Sequence, residues 1–295
     1  MIDTRSPPTL LDPRLILSHG GLAADHLDGL VPAERYVTPT PMQVILPVAG
    51  VRKAPERAAE QLDQLLFGER FDVLETLDGW VFGQARRDGY VGFVRAEALA
   101  PAGPAPTHWV SALRTFAFDQ PSIKTRPTGR YSRNALLTVE AREGRFAHIA
   151  GSGWIVAEHL SPIGDWAGDP ASMGVTYLGA PYLWGGRDSL GLDCSGLIQQ
   201  ALYACGRSCP RDSDQQQALG RPITPGEGLS GLQRNDLVFW RGHVGMMLDA
   251  DRLLHANAHH MAVVIEPLVE AIPRIIGIGV GEPVAYRRLN EEASA

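Results

Sequence analysis

The chain is poor in cysteine. Its three, Cys194, Cys205 and Cys209, fall within one short stretch of 295 residues, so they cannot form a disulfide framework, and a reducing compartment suits them. No apolar run approaches a membrane span; Ala271 to Val280 is too short and contains Pro273. The amino terminus, Met1-Ile2-Asp3-Thr4-Arg5-Ser6-Pro7-Pro8, lacks the basic-then-apolar pattern of an export signal. The expectation is a soluble, cytoplasmic protein with no membrane partner. A formal charge of −6 without a basic run argues against nucleic acid, and an acidic ligand would need local arginines. No Cys or His pair has the close spacing of a zinc site, and His259-His260 on a strand would point to opposite sides. No metal or cofactor is expected.

What is present is enough for a core: 44% of residues are apolar. At 295 residues, two or three compact units are expected. Residues 1–40 mix prolines with a helix-like stretch from Pro13 to Leu30, broken by Gly20-Gly21, and read as an amino-terminal arm. An internal repeat follows. Gly92-Phe93-Val94-Arg95-Ala96-Glu97-Ala98-Leu99 matches Gly153-Trp154-Ile155-Val156-Ala157-Glu158-His159-Leu160 position by position. Upstream, Val73-Leu74-Glu75 before Gly79 resembles Val139-Glu140-Ala141 before Gly144. Short alternating runs of Val, Phe, Trp and Tyr predict two small β-barrels, at residues 41–100 and 106–163. Proline-rich linkers, Pro101 to Pro106 and Pro162 to Pro170, follow each.

From residue 171 to 295 the texture changes. Leu197, Ile198, Ala201 and Leu202 recur at helical spacing after Cys194, so a helix begins near Asp193 or Cys194. After a loop-like Arg211 to Gly231, the runs Leu237 to Trp240, His243 to Leu248 and Leu253 to Asn257 have strand length and are separated by turns. A helix followed by an antiparallel sheet is an α+β arrangement.

That layout gathers a thiol and two imidazoles, the parts of a cysteine hydrolase. Cys194 in a first helical turn meets unpaired N–H groups and the positive dipole end, which favour a thiolate. His243 would complete a thiolate–imidazolium pair, and His255 would orient it. The two rings share a strand face only when residue numbers paired across the turn sum to an even number. Cys205 and Cys209 read as structural.

Four segments together resemble the NlpC-type cell-wall cysteine peptidases: Tyr182-Leu183-Trp184-Gly185-Gly186, Asp193-Cys194-Ser195-Gly196, His243-Val244-Gly245-Met246 and Leu254-His255-Ala256. The resemblance implies a papain-like cysteine peptidase domain preceded by two small SH3-like β-barrels, as in the γ-D-glutamyl-L-diamino acid endopeptidases. It implies a peptidoglycan-derived peptide, L-Ala-γ-D-Glu-L-diamino acid, cut after D-Glu. It also implies Cys194 as nucleophile, His243 as base, His255 as orienting group and Tyr182 as an oxyanion donor. Asp193, Ser195, Asp212 and Ser213 match cleft positions. Tyr90 matches a tyrosine by which the first barrel restricts substrates to a free L-Ala amine, with Trp184 nearby; a barrel-core role for Tyr90 stands beside this. Glu56, Glu60 and Asp63 are candidates for the accompanying acid. Arg187 and Arg211 are candidates for reading substrate carboxylates, or are solvated surface charges. The rival functions are a broader cell-wall amidase or hydrolase, and an inactive wall-binding protein.

Overall fold

The computed structural model describes residues 12–289, and strands dominate it. Parts of the expected arm (1–11) and of the last unit (290–295) lie outside the described residues. The helix expected from Pro13 to Leu30 does not form. Instead a 3-10 turn, Pro13–Leu15, leads into short strands Ser18–His19 and Leu22–Ala24 and a second 3-10 turn, Asp25–Leu27. Gly20 and Gly21 at φ 56° and 81° make the reversal between those strands, a conformation glycine adopts without a side-chain clash.

A seven-stranded antiparallel sheet follows between Thr40 and Pro101, built around Val44, Val51, Leu65, Phe71 and Val94. A five-stranded and a three-stranded sheet then span His108 to Pro162 around Val110, Ile149 and Ile155. The sequence repeat is a structural one. Val91–Arg95, a 3-10 turn Ala96–Ala98 and Leu99–Pro101 have their counterpart in Gly153–Val156, Ala157–His159 and Leu160–Pro162.

The remaining unit sets helices against one sheet. α1 (Pro170–Val175), α2 (Cys194–Ala204) and α3 (Ser213–Gln216) precede the strands β1 (Arg221–Pro222), β2 (Asp236–Trp240), β3 (His243–Met247), β4 (Arg252–Asn257) and β5 (Ala262–Pro267). α4 (Leu268–Gly277) and β6 (Ala285–Arg288) complete it, and the antiparallel sheet runs β1-β6-β2-β3-β4-β5. Every residue of α2 is buried, so it is a central helix rather than a surface one, packed on β3 and β4 through Leu197, Ile198 and Ala201.

Buried polar contacts tie the units together at this helix. Asn134 donates to the Gln200 carbonyl (2.9 Å) and side chain (2.7 Å), joining the second β-unit to α2. The first β-unit joins through Gln64, whose Oε1 accepts from the Arg187 N–H at 2.8 Å, and through Glu69, 2.7 Å from the Arg187 guanidinium. Among the described residues no helix is long and apolar enough to cross a membrane.

Candidate active site

Cys194 occupies the first position of α2 because Asp193 ends the preceding loop in extended backbone and caps the helix. Its Oδ1 accepts from the Gly196 N–H at 2.7 Å. Gly196 is required there, since a Cβ would lie 2.2 Å from the Gly186 carbonyl oxygen. The thiol, 7% exposed, opens into a cavity of about 240 Å³.

The two histidines come from neighbouring strands. Arg241-Gly242 forms the two-residue turn between β2 and β3, with Gly242 at φ 73°, so His243 is the first residue of its strand. Met246 pairs with Leu254 and Met247 with Leu253, and both sums are 500, an even register. His243 and His255 therefore share a face, with His243 Nε2 2.9 Å from His255 Nδ1. Gly245 makes room for this: a Cβ there would meet His255 Cβ at 3.2 Å and Leu253 Cδ1 at 2.7 Å.

Behind His255 lies a pair that sequence reasoning missed. His255 Nε2 is 2.6 Å from Glu266 Oε1, and that oxygen also accepts from the Arg274 guanidinium. Against its partial burial, the hydrogen bond from His255 and then the Arg274 guanidinium hold the Glu266 carboxyl down at about 2. Glu266 is thus ionised. A carboxylate at 2.6 Å requires a hydrogen on Nε2, and it outweighs the Asn257 amide 3.0 Å from the same nitrogen. Neutral His255 then has its lone pair on Nδ1 and accepts from His243 Nε2–H. His243 keeps its lone pair on Nδ1, free to take a proton. The one sequence signal for Glu266 was a lone charge ending the apolar run Ala262 to Ile265.

Electrostatics correct the expected resting state. Burial, reinforced by Asp193, pushes the Cys194 thiol up to about 12, while the N–H groups of Val244 and Ser195 pull the other way. Burial first, then His255 and Arg274, pushes His243 down to about 3. Both groups rest neutral, and the proton moves when the sulfur attacks rather than beforehand. The contact with Val244 N–H sets the thiol beside the residue that follows His243.

All six residues assigned to the cleft, Tyr90, Trp184, Asp193, Ser195, Asp212 and Ser213, line the Cys194 cavity. Tyr90 donates to Asp212 Oδ2 at 3.0 Å, so its hydroxyl belongs to the cavity rather than the barrel core. Of the three acidic candidates Glu60 is the one at the cavity, where Trp184 Nε1 donates to its Oε1 at 3.2 Å. Asp63 is buried at 2.6 Å from Arg211, and Glu56 does not line the cavity. Arg14 reaches the same cavity from the arm, 198 residues before Asp212 and 2.8 Å from it; nothing in the sequence signalled that. Tyr182 lines this cavity and an adjoining one that holds His243 and His255, and burial raises its phenol well above the ordinary range.

Arg187 and Arg211 are neither solvated nor available to substrate. Both are fully buried, Arg187 against Glu69 and Asp63, Arg211 against Asp63 and Asp193, because their guanidiniums complete charge sets between units. His259 and His260 sit in a turn rather than on a strand, with rings edge to face at 4.7 Å. Among the described residues no group of three His, Cys, Asp or Glu side chains is arranged to hold a metal.

A cysteine at a helix start with two hydrogen-bonded imidazoles on the facing sheet defines a thiol hydrolase site. Residues 179–274 match the NlpC/P60 family, and residues 51–99 match the bacterial dipeptidyl-peptidase SH3 domain. The chain thus carries an NlpC/P60 domain preceded by an SH3 domain of the bacterial dipeptidyl-peptidase type. It is 28% identical to the γ-D-glutamyl-L-lysine dipeptidyl-peptidase of Bacillus subtilis, over 71% of this chain and 76% of that one. It is 24% identical to the dipeptidyl-peptidase 6 of Lysinibacillus sphaericus, over 78% and 92% respectively. An NlpC/P60 family protein from Bacillus cereus shares the fold, with a TM-score of 0.70 at 19% identity, covering 84% of this chain and 99% of that one.

Proposed function

We propose that the protein is a cysteine endopeptidase that hydrolyses the γ-D-Glu–L-diamino acid bond of peptidoglycan stem peptides bearing a free amino-terminal L-Ala. One observation carries the reading: Tyr90 and Glu60 from the first β-unit line the same cavity as Cys194. A carboxylate-lined cleft capped by that unit accepts a short peptide terminating in an ammonium, with Glu60 supplying charge for it and Asp212 and Asp214 sharing theirs with Arg14. In this reading residues 41–100 and 106–163 are SH3-like barrels, and 171–295 is a papain-like domain.

The mechanism follows from the tautomer chain. Cys194 Sγ attacks the γ-carbonyl carbon of D-Glu while its proton passes to His243 Nδ1. The tetrahedral oxygen meets the Tyr182 hydroxyl and the Cys194 N–H, which at the first helical position has no intrahelical acceptor. His243 then gives its proton to the departing α-amine of the diamino acid. Water, deprotonated by His243, cleaves the thioester. His255 holds the ring in position throughout.

A free L-Ala amine exists only once the peptide has left the muramic acid, so the substrate is a released turnover peptide. We place that step in the cytoplasm, where three cysteines outside any disulfide stay reduced. Mass spectrometry of L-Ala-γ-D-Glu-diaminopimelate incubated with the protein tests the proposal. The expected products are L-Ala-γ-D-Glu and diaminopimelate, with none from Cys194→Ala and none from the peptide acylated at L-Ala. Cleavage of the acylated peptide alone would refute the free-amine specificity, and equal turnover by Cys194→Ala would refute the mechanism.

A further inference from the structure

The second cavity, of about 170 Å³, shares Tyr182 and Gly242 with the first and otherwise has its own walls. The two differ in charge. Glu60, Asp193, Asp212 and Asp214 line the first, outnumbering the Arg14 that pairs with Asp212 and Asp214, whereas no carboxylate lines the second. The second instead presents two guanidiniums. Arg274 is neutralised by Glu266, but Arg241 is exposed, and no carboxylate among the described residues pairs with it. Beside it Ile278 is 61% exposed, and Val280 continues the apolar wall.

We propose that this cavity receives the residue on the amine side of the cleaved bond, and that Arg241 binds a free carboxylate of that residue while Ile278 and Val280 cover its methylenes. The inference rests on the reading of Cys194 and His243 given above. The departing nitrogen must take its proton from His243, and His243 lines only the second cavity. The residue bearing that nitrogen therefore lies on the same side, with the acyl part in the cavity that holds the sulfur. A guanidinium fork suits a carboxylate, and a terminal ammonium finds no acidic partner there. The ligand class is a diamino acid with an apolar stem and a second carboxylate, in preference to lysine.

Three substrates test this: L-Ala-γ-D-Glu joined to diaminopimelate, to lysine, and to lysine α-amide. The expected KM for the lysine peptide is about tenfold above that for the diaminopimelate peptide, the size of one charge-assisted contact. Arg241→Gln, in an exposed turn, should erase the difference by raising the KM of the better substrate. A tenfold penalty on the α-amide alone would assign the contact to the α-carboxylate, which lysine also carries, and would overturn the preference for a second carboxylate. KM values within twofold for all three, or differences that survive Arg241→Gln, would overturn the proposal. If wild type cleaves none of the peptides, the proposed function fails on its own account. Saturation-transfer NMR of free diaminopimelate with Cys194→Ala then decides this inference: a signal lost on adding Arg241→Gln supports it, and no signal, or one that persists, overturns it.

Discussion

Replacing Glu266 by alanine probes the hydrogen-bond chain behind the nucleophile. In the native protein the carboxylate accepts from His255 Nε2 at 2.6 Å, a charge-assisted bond contributing about 1.5–3 kcal/mol. Without it the Asn257 amide, 3.0 Å from the same nitrogen, becomes the main partner and donates to it. A neutral hydrogen bond of about 1 kcal/mol then favours the opposite tautomer, leaving the productive one at about a fifth or less of the population. Arg274, no longer neutralised, further depresses the basicity of both imidazoles, on each of which it already acts. Together these effects lower kcat by about 10- to 100-fold, at 1.36 kcal/mol per factor of ten. KM should change little, since Glu266 lines neither cavity. Arg274→Gln acts in the other direction on pH: removing a cation that depresses His243 makes the ring more basic, and the acid limb of kcat/KM moves to higher pH. Hydrolysis rates with a thermal melt of each variant provide the assay. Wild-type kcat in a folded Glu266→Ala protein would refute the tautomer argument.

Further outcomes follow from the same geometry. Gly245→Ala should displace His255, because the new methyl would lie 3.2 Å from its Cβ, and activity should fall more than tenfold while the protein stays folded; an active, unshifted variant would contradict the packing. Arg211→Ala leaves buried Asp193 without a cationic partner and Asp63 with Arg187 alone, and should lower stability by about 3–5 kcal/mol in urea titrations. Half-buried His243, held down to about 3, protonates later in the folded than in the unfolded state, whose ring titrates near 6.5. The unfolded chain therefore binds more protons as pH falls below that value, and His243 alone removes roughly 4 kcal/mol by the time pH reaches its folded pKa. Urea midpoints between pH 7 and 4 should fall more steeply for wild type than for His243→Gln, and parallel curves would reject this.

Much of the site was legible because its chemistry is local. Asp193-Cys194-Ser195-Gly196 announces a capped helix start, and the strand lengths around His243 and His255 announce a sheet. The register joining those rings depends on a two-residue turn and on pairing that alternation alone does not fix. The helix expected over Pro13 to Leu30 failed because Gly20-Gly21 turns the chain back into a hairpin, and such a turn outweighs a partial apolar period. Arg187 and Arg211 looked like surface charges because their partners Asp63 and Glu69 belong to a different unit, more than 100 residues away. Arg14 acts through contacts of the same long-range kind, to Asp212 and Asp214.

Arg211 spans Asp63 of the first β-unit and the Asp193 that caps the nucleophile's helix, at 2.6 Å from each. An excised carboxy-terminal fragment would keep the guanidinium but lose half of its counter-charge, directly beneath the reactive sulfur. Chimeras that graft a foreign leading module onto this hydrolase must therefore transplant an aspartate along with it. The amino-terminal module is thus electrically wired into the reaction centre, and recombination that ignores the wiring should yield soluble but sluggish hybrids.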